Sequence, residues 1–192
     1  LKDTNRYVRC AAAVALWKMG SEAASAVPAL VESLGDDYWL VRDAASQALG
    51  NIGFQAKAAV LALNELLKDE DSSVRGEAAC ALGSIGPAKS SIPLLTRCLK
   101  DDDWYVRLSA AEALGKIGSE AGVAVPLLTG LLNESNAAIQ HAAAVTIGKV
   151  GPAANAATPG LAVLLRHEDW TVRAVAAEAA ELATVERASA SN

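Results

Sequence analysis

A valine–arginine dipeptide returns along the chain at Val8-Arg9, Val41-Arg42, Val74-Arg75, Val106-Arg107 and Val172-Arg173, with Ile139-Gln140 in the one gap, at steps of 33, 33, 32, 33 and 33 residues. A segment of that length cannot bury its apolar face alone, so each copy must stack on the next and the chain must be a repeat array. Counted from each valine, apolar residues fall at 0, +4, +5, +7, +8 and +11, as in Val74, Ala78, Ala79, Ala81, Leu82 and Ile85. That is one helical stripe, not strand alternation.

Position −3 holds Asn5, Asp71, Asp103, Asn136 and Asp169, whose side chains can accept from the free N–H groups of a first helical turn; only Tyr38 breaks the set. Position +12 holds Gly20, Gly53, Gly86, Gly118 and Gly151, the residue that tolerates the left-handed conformation closing a helix. We call this span helix B. A second stripe precedes each of the later B helices, with leucine pairs Leu30/Leu34, Leu63/Leu67, Leu95/Leu99, Leu128/Leu132 and Leu161/Leu165 marking helix A. Pro28, Pro93, Pro126 and Pro159 stand two residues before the first leucine, where proline opens or kinks a helix, and Leu61 replaces them once. The single 32-residue step is a deletion in the connection before helix A. The pattern predicts an all-α solenoid of about six stacked helix pairs, each helix about 12 residues and about 18 Å long. Alanine pairs such as Ala78-Ala79 and Ala110-Ala111 would let neighbouring layers approach closely.

With 52% hydrophobic but only 4% aromatic residues, the core must rest on Ala, Leu, Val and Ile in close-packed helices. A net charge of −5 argues against nucleic acid and anionic membrane as partners, since both are bound through basic surfaces. Cys10, Cys80 and Cys98 are an odd number without C-x-x-C spacing, so they form neither a disulfide framework nor a zinc site and point to a reducing, cytoplasmic compartment. No apolar run approaches membrane-spanning length. Leu1 lies inside a repeat, so upstream repeats or a preceding domain are expected. At the other end Ala180-Glu181 replace the usual Leu-Gly, Thr184 replaces the glycine, and a polar tail covers 185–192, as in a capping repeat. Residues 1–192 thus read as a single array, the C-terminal part of a longer chain.

The string Leu99-Lys100-Asp101-Asp102-Asp103-Trp104-Tyr105-Val106-Arg107, continuing to Ala110-Ala111 and Ala113-Leu114-Gly115-Lys116-Ile117-Gly118, resembles the HEAT-like repeat of the phycobilisome-lyase type, over about residues 1–184. The resemblance implies a superhelix whose B helices line the concave face. It also implies an Asp/Arg ladder between repeats, here Asp3, Asp36, Asp69 and Asp101 with Arg9, Arg42, Arg75, Arg107 and Arg173. Isolated exposed pairs are worth about 0–1 kcal/mol, so the ladder is expected to set register. Repeat five departs, with Glu134 and Gln140, which predicts a weaker seam there. Repeats of this kind serve as scaffolds, adaptors, lyase subunits and occasionally enzymes, so the resemblance is nearly silent on function.

Positions −2, −1, +2, +3 and +6 of helix B vary between repeats and lie outside the core stripe. At −2 stand Arg6, Trp39, Ser72, Trp104, Ala137 and Trp170, a tryptophan in every second repeat. Successive tryptophans would lie about 20 Å apart across two stacked repeats, too far to line one small pocket but within reach of about six residues of extended peptide. Tyr7 and Tyr105 at −1 add further rings. The competing reading packs each tryptophan over its own inter-repeat loop. Asp43, Glu77, Glu112 and Glu178 favour a partner with basic residues, or form an ordinary solvated helix face. Lys18, Lys116 and Lys149 sit where a cation complements the helix dipole.

Catalytic constellations are thin. His141 at +2 has no second histidine nearby, and His167-Glu168 is a single pair, whereas di-iron hydroxylases built on similar repeats rely on several. No Gly-rich phosphate loop, nucleophile elbow or H-E-x-x-H is present. Nothing near Cys10 or Cys80 would activate a thiolate, and Cys98 takes a leucine's place in helix A. The expected function is a non-catalytic module binding a protein or extended peptide, with no cofactor or metal, through Tyr7, Trp39, Asp43, Glu77, Trp104, Tyr105, Glu112, His141, Trp170 and Glu178. The resemblance alone implies an alternative, a phycobilin-lyase-like accessory subunit using the same groove. A base-repair enzyme on HEAT-like repeats is disfavoured by the acidic charge.

Overall fold

The computed structural model describes residues 1–86, 88–151, 154 and 157–189, with side chains through residue 182. The expected Thr184 substitution and the 185–192 tail therefore fall outside the described side chains. Six B helices form where the valine register places them: α1 (Arg6–Met19), α3 (Trp39–Ile52), α5 (Ser72–Ile85), α7 (Trp104–Ile117), α9 (Ala137–Val150) and α11 (Trp170–Ser189). Between them lie α2 (Val27–Ser33), α4 (Val60–Leu66), α6 (Ile92–Cys98), α8 (Val125–Leu131) and α10 (Thr158–Leu164). Among the described residues all regular structure is helical.

The predicted caps form. Asn5, Asp71, Asp103, Asn136 and Asp169 each accept a hydrogen bond from the backbone N–H two residues on, at 2.8–2.9 Å, and Tyr38 makes no such bond. Gly20, Gly53, Gly118 and Gly151 close their helices at φ of 58–79° with ψ between −132° and −140°. These angles are not the left-handed helical well that the sequence suggests. They lie toward the mirror image of extended backbone, which an L side chain rarely enters, so glycine is required there more strictly than at an ordinary helix end.

Helix A is not the 12-residue helix expected. A seven-residue 3₁₀ helix (Gly20–Ala26, Gly53–Ala59, Gly118–Ala124) runs into a seven-residue α-helix. Pro28, Pro126 and Pro159 stand in the first turn of α2, α8 and α10, where a missing N–H costs nothing, so proline opens the α-helix instead of kinking it. Buried Ala23, Ala59, Ala121 and Ala124 suit the tighter 3₁₀ winding, whose side chains eclipse, while Ala56 (φ −89°, ψ 17°) kinks the Gly53–Ala59 piece. In the short repeat the 3₁₀ piece shrinks to Lys89–Ser91, which is where the expected deletion falls.

Two compact units are present, Leu1–Leu95 and Thr96–Asn192. In the first, α1 packs on α3 and α3 on α5, with α2 and α4 against α3 and α5; in the second, α7 packs on α9 and α9 on α11, with α8 and α10 against α9 and α11. The stripe is buried as predicted: Val41, Ala45, Ala48 and Leu49 in α3, and Ile139, Ala143, Ala144 and Ile147 in α9, are all inaccessible. Alanine pairs such as Ala78-Ala79 and Ala110-Ala111 are fully buried, and the layers approach closely at +9. A Cβ added to Gly50 would lie 3.0 Å from Ala81 Cα, and one added to Gly148 would lie 3.1 Å from Ala179 Cα. One added to Gly115 would lie 2.6 Å from Thr146 Oγ1. The same position holds Glu181 in α11, the last helix of the second unit.

The ladder forms as bidentate pairs within each unit. Arg9 Nε and Nη2 donate to Asp36 at 2.6 and 2.8 Å, Arg42 to Asp69 at 2.8 and 2.7 Å, and Arg107 to Glu134 at 2.8 and 2.9 Å. These are not the exposed pairs assumed from sequence, because their side chains keep only 8–26% of their surface. Asp36 and Asp69 also accept from the backbone N–H of Tyr38 and Asp71. Glu134 preserves the pair, so the departure in repeat five rests on Gln140.

Candidate partner-binding face

Each −2 tryptophan is the first residue of its B helix, where the capping turn projects it beyond the stripe. Trp39, Trp104 and Trp170 are 37%, 52% and 68% exposed, so more than half of the last two rings meets solvent. Trp39 belongs to an aromatic group. The Tyr7 and Tyr38 rings meet edge to face at 6.0 Å, Tyr38 and Trp39 at 6.4 Å, and the Arg6 guanidinium lies 4.9 Å above Tyr38. Trp104 stands edge-on to Tyr105 at 6.0 Å. Tyr38 is missing from the sequence-derived set because at −3 it registers only as a failed cap.

In the first unit Asp43 (+2, α3) and Glu77 (+3, α5) interact across one seam. The Asp43 carboxyl is raised to about 6, first by burial, then by the charges of Glu77 and Asp71, and opposed by a 2.9 Å hydrogen bond from Gln47 Nε2. Beside it α1, α3 and α5 enclose a shallow pocket of about 330 Å³ lined by Trp17, Gln47, Asn51, Glu77, Cys80 and Ser84. Trp17 also escapes sequence reasoning, since it occupies the +9 slot that glycine holds in most repeats. None of the −2 tryptophans lines this pocket. Burial and Asp43 push the Cys10 thiol up, which disfavours the thiolate a nucleophile needs.

In the second unit Glu112 is exposed and His141 half-buried. Glu178 lines a cleft of about 60 Å³ with Gly148, Lys149 and Leu182 between α9 and α11. Lys18, Lys116 and Lys149 lie in the last turns of α1, α7 and α9, as the dipole reading requires. Among the described residues no group of three or more His, Cys, Asp or Glu side chains could hold a metal ion. No helix of the described residues is long and apolar enough to cross a membrane.

Asp43 supports a test of this electrostatic picture. Its folded pKa lies above the ordinary 3.8, so its contribution to stability is fully present below about pH 4 and is lost as pH rises through 6. Asp43→Asn, which removes the charge, is therefore expected to stabilise the protein at pH 7.5, by about 1–2 kcal/mol once partial solvation is allowed for. Thermal unfolding between pH 4 and 8 checks this: the gain should vanish toward pH 4, and a pH-independent gain would refute the assignment.

Capped helix pairs stacked through a repeating buried stripe, with variable side chains confined to helix starts and outer faces, define a helical-repeat solenoid scaffold. The chain belongs to the HEAT repeat family: the family model for HEAT repeats matches residues 1–63, 61–134 and 99–181. Comparison with curated protein sequences gives no match. Among solved structures it is similar to an engineered protein at 28% identity, covering 96% of both chains with a TM-score of 0.82. It is also similar to the complex of CpcE and CpcF of phycocyanin lyase from Nostoc sp., at 28% identity, 83% of this chain and 65% of that one, and a TM-score of 0.72. A designed armadillo repeat protein in complex with peptide (KR)4 shares the fold at 22% identity, 91% of each chain and a TM-score of 0.77.

Proposed function

We propose that this chain is a non-catalytic scaffold that holds a protein or extended peptide on its B helices, with Trp39 as an anchor in the first unit and Trp104, Tyr105 and Trp170 as anchors in the second. The observation that carries the reading is the exposure of three tryptophans at one repeat position. Asp43 adds a preference for a basic partner residue: a lysine or arginine beside it would offset the burial, and the charges of Glu77 and Asp71, that raise its pKa. An odd number of cysteines without C-x-x-C spacing, Cys10, Cys80 and Cys98, supports a cytoplasmic setting. Affinity capture from native lysate, wild type against the Trp39→Ala, Trp104→Ala and Trp170→Ala triple variant, identifies the partner. Trp104→Ala alone should then weaken binding by tenfold or more while circular dichroism stays unchanged. Unchanged affinity for the captured partner would remove Trp104 from the anchors.

A second reading, an accessory subunit of a bilin lyase, has in its favour the likeness to the CpcE–CpcF complex. Incubation with bilin and an acceptor protein separates the two readings, since the scaffold forms no covalent adduct.

A further inference from the structure

The seam between α9 and α11 differs from the other ladder seams in both of its partners at once. Where Arg9, Arg42 and Arg107 cross to Asp36, Asp69 and Glu134, the equivalent positions hold Gln140 and His167. Gln140 is only 8% exposed. Its Nε2 performs the local half of an arginine's role, donating to Glu134 O at 2.7 Å, as Arg42 and Arg107 Nη1 donate to the carbonyls of Asp36 and Asp101. The half that should reach the next repeat is absent, and Oε1 is left buried without a hydrogen-bond partner.

His167 keeps the turn-closing role of the ladder acids, with Nδ1 accepting from Asp169 N at 3.0 Å. That bond makes Nε2 the protonated, donating nitrogen of the neutral ring. Polarity is therefore inverted relative to the other seams: an acceptor stands on the arginine side and a donor on the acid side. Between α8, α9 and α10 lies a groove of about 780 Å³ lined by Leu132, Gln140, Val163, Leu164, His167 and Glu168, among others.

We propose that this groove binds a carboxamide, the side chain of an asparagine or glutamine in a partner peptide. Its N–H donates to Gln140 Oε1, its carbonyl accepts from His167 Nε2, and its aliphatic stem lies against Leu132, Val163 and Leu164. A carboxylate carries no proton for Gln140, and an ammonium or guanidinium offers no acceptor to His167, so the pair selects a group with both. None of the −2 tryptophans lines this groove.

Titration of the isotopically labelled chain with N-acetyl-glutamine N-methylamide, following the Gln140 amide and His167 ring resonances, tests the assignment. Saturable shifts are expected, with binding at least tenfold weaker for the isosteric N-acetyl-glutamate N-methylamide. Gln140→Leu should abolish the shifts while the circular dichroism stays native. The double variant Gln140→Arg/His167→Asp rebuilds the pair of the other seams, and should abolish the shifts while raising the melting temperature. Absence of saturable shifts, equal binding of the glutamate probe, or undiminished binding to a folded Gln140→Leu variant would each overturn the proposal.

Discussion

Arg42→Ala is expected to lower the unfolding free energy by about 3–5 kcal/mol, the range for removing one member of a buried ion pair. Arg42 is 8% exposed, and its fork meets both oxygens of Asp69, whose side chain is equally enclosed. Truncation leaves that carboxylate without its counter-charge and Asp36 O without the Nη1 donor that reaches it at 3.0 Å. Arg173 supplies the internal comparison. It is exposed and donates to carbonyls of its own loop, His167 O and Glu168 O, so Arg173→Ala should cost about 1 kcal/mol or less. Urea unfolding of the two variants side by side decides the matter, and equal costs would refute a buried, energetically important ladder.

One rung of this ladder also contributes to acid stability. The Arg9 guanidinium, aided by the Tyr38 N–H, holds the Asp36 carboxyl down at about 2, below the usual 3.8. A depressed folded pKa contributes stability that is fully present above the unfolded value and lost as pH falls from about 4 toward 2. The urea midpoint should fall over that interval, and less steeply in Arg9→Ala.

Gly115→Val is expected to cost about 3 kcal/mol or more, although valine is the better helix former. Even the first added carbon would sit 2.6 Å from Thr146 Oγ1, and that hydroxyl is buried and donates to Ala111 O at 2.7 Å. The smaller Gly115→Ala gains about 1 kcal/mol of helix propensity but meets an overpacking penalty of about 1–3 kcal/mol, so it too should destabilise. Thr146→Ala in the same chain should recover much of the loss, because the obstructing atom belongs to a side chain. Gly50→Ala admits no such rescue, since its nearest neighbour is the Ala81 backbone. Calorimetric melting temperatures test all four variants, and a rise for Gly115→Ala would show that the helices are free to separate.

Much of this was legible because caps and stripes are local. Asp103 caps α7 through an N–H two residues away, and Val106, Ala110 and Leu114 share a face by helical geometry alone. Tyr38 and Trp17 were not legible as members of an aromatic group or a pocket lining. Each stands where the repeat usually places a cap or a glycine, so it registers as a fault in the pattern until its neighbour in the next layer is known. Gln140 likewise looks like a weak seam in one dimension. Only beside His167 does it become half of an inverted pair.

The sequence by itself determined the period, the B helices, their ends and their buried face, since each depends on residues within a few turns of one another. Tertiary structure alone decided how deeply the ladder is enclosed, where glycine is indispensable, and which carboxylates repel. Ladder partners stand 27 residues apart, and their energies depend on how much water the stacked layers exclude, a quantity that exists only once the layers have met.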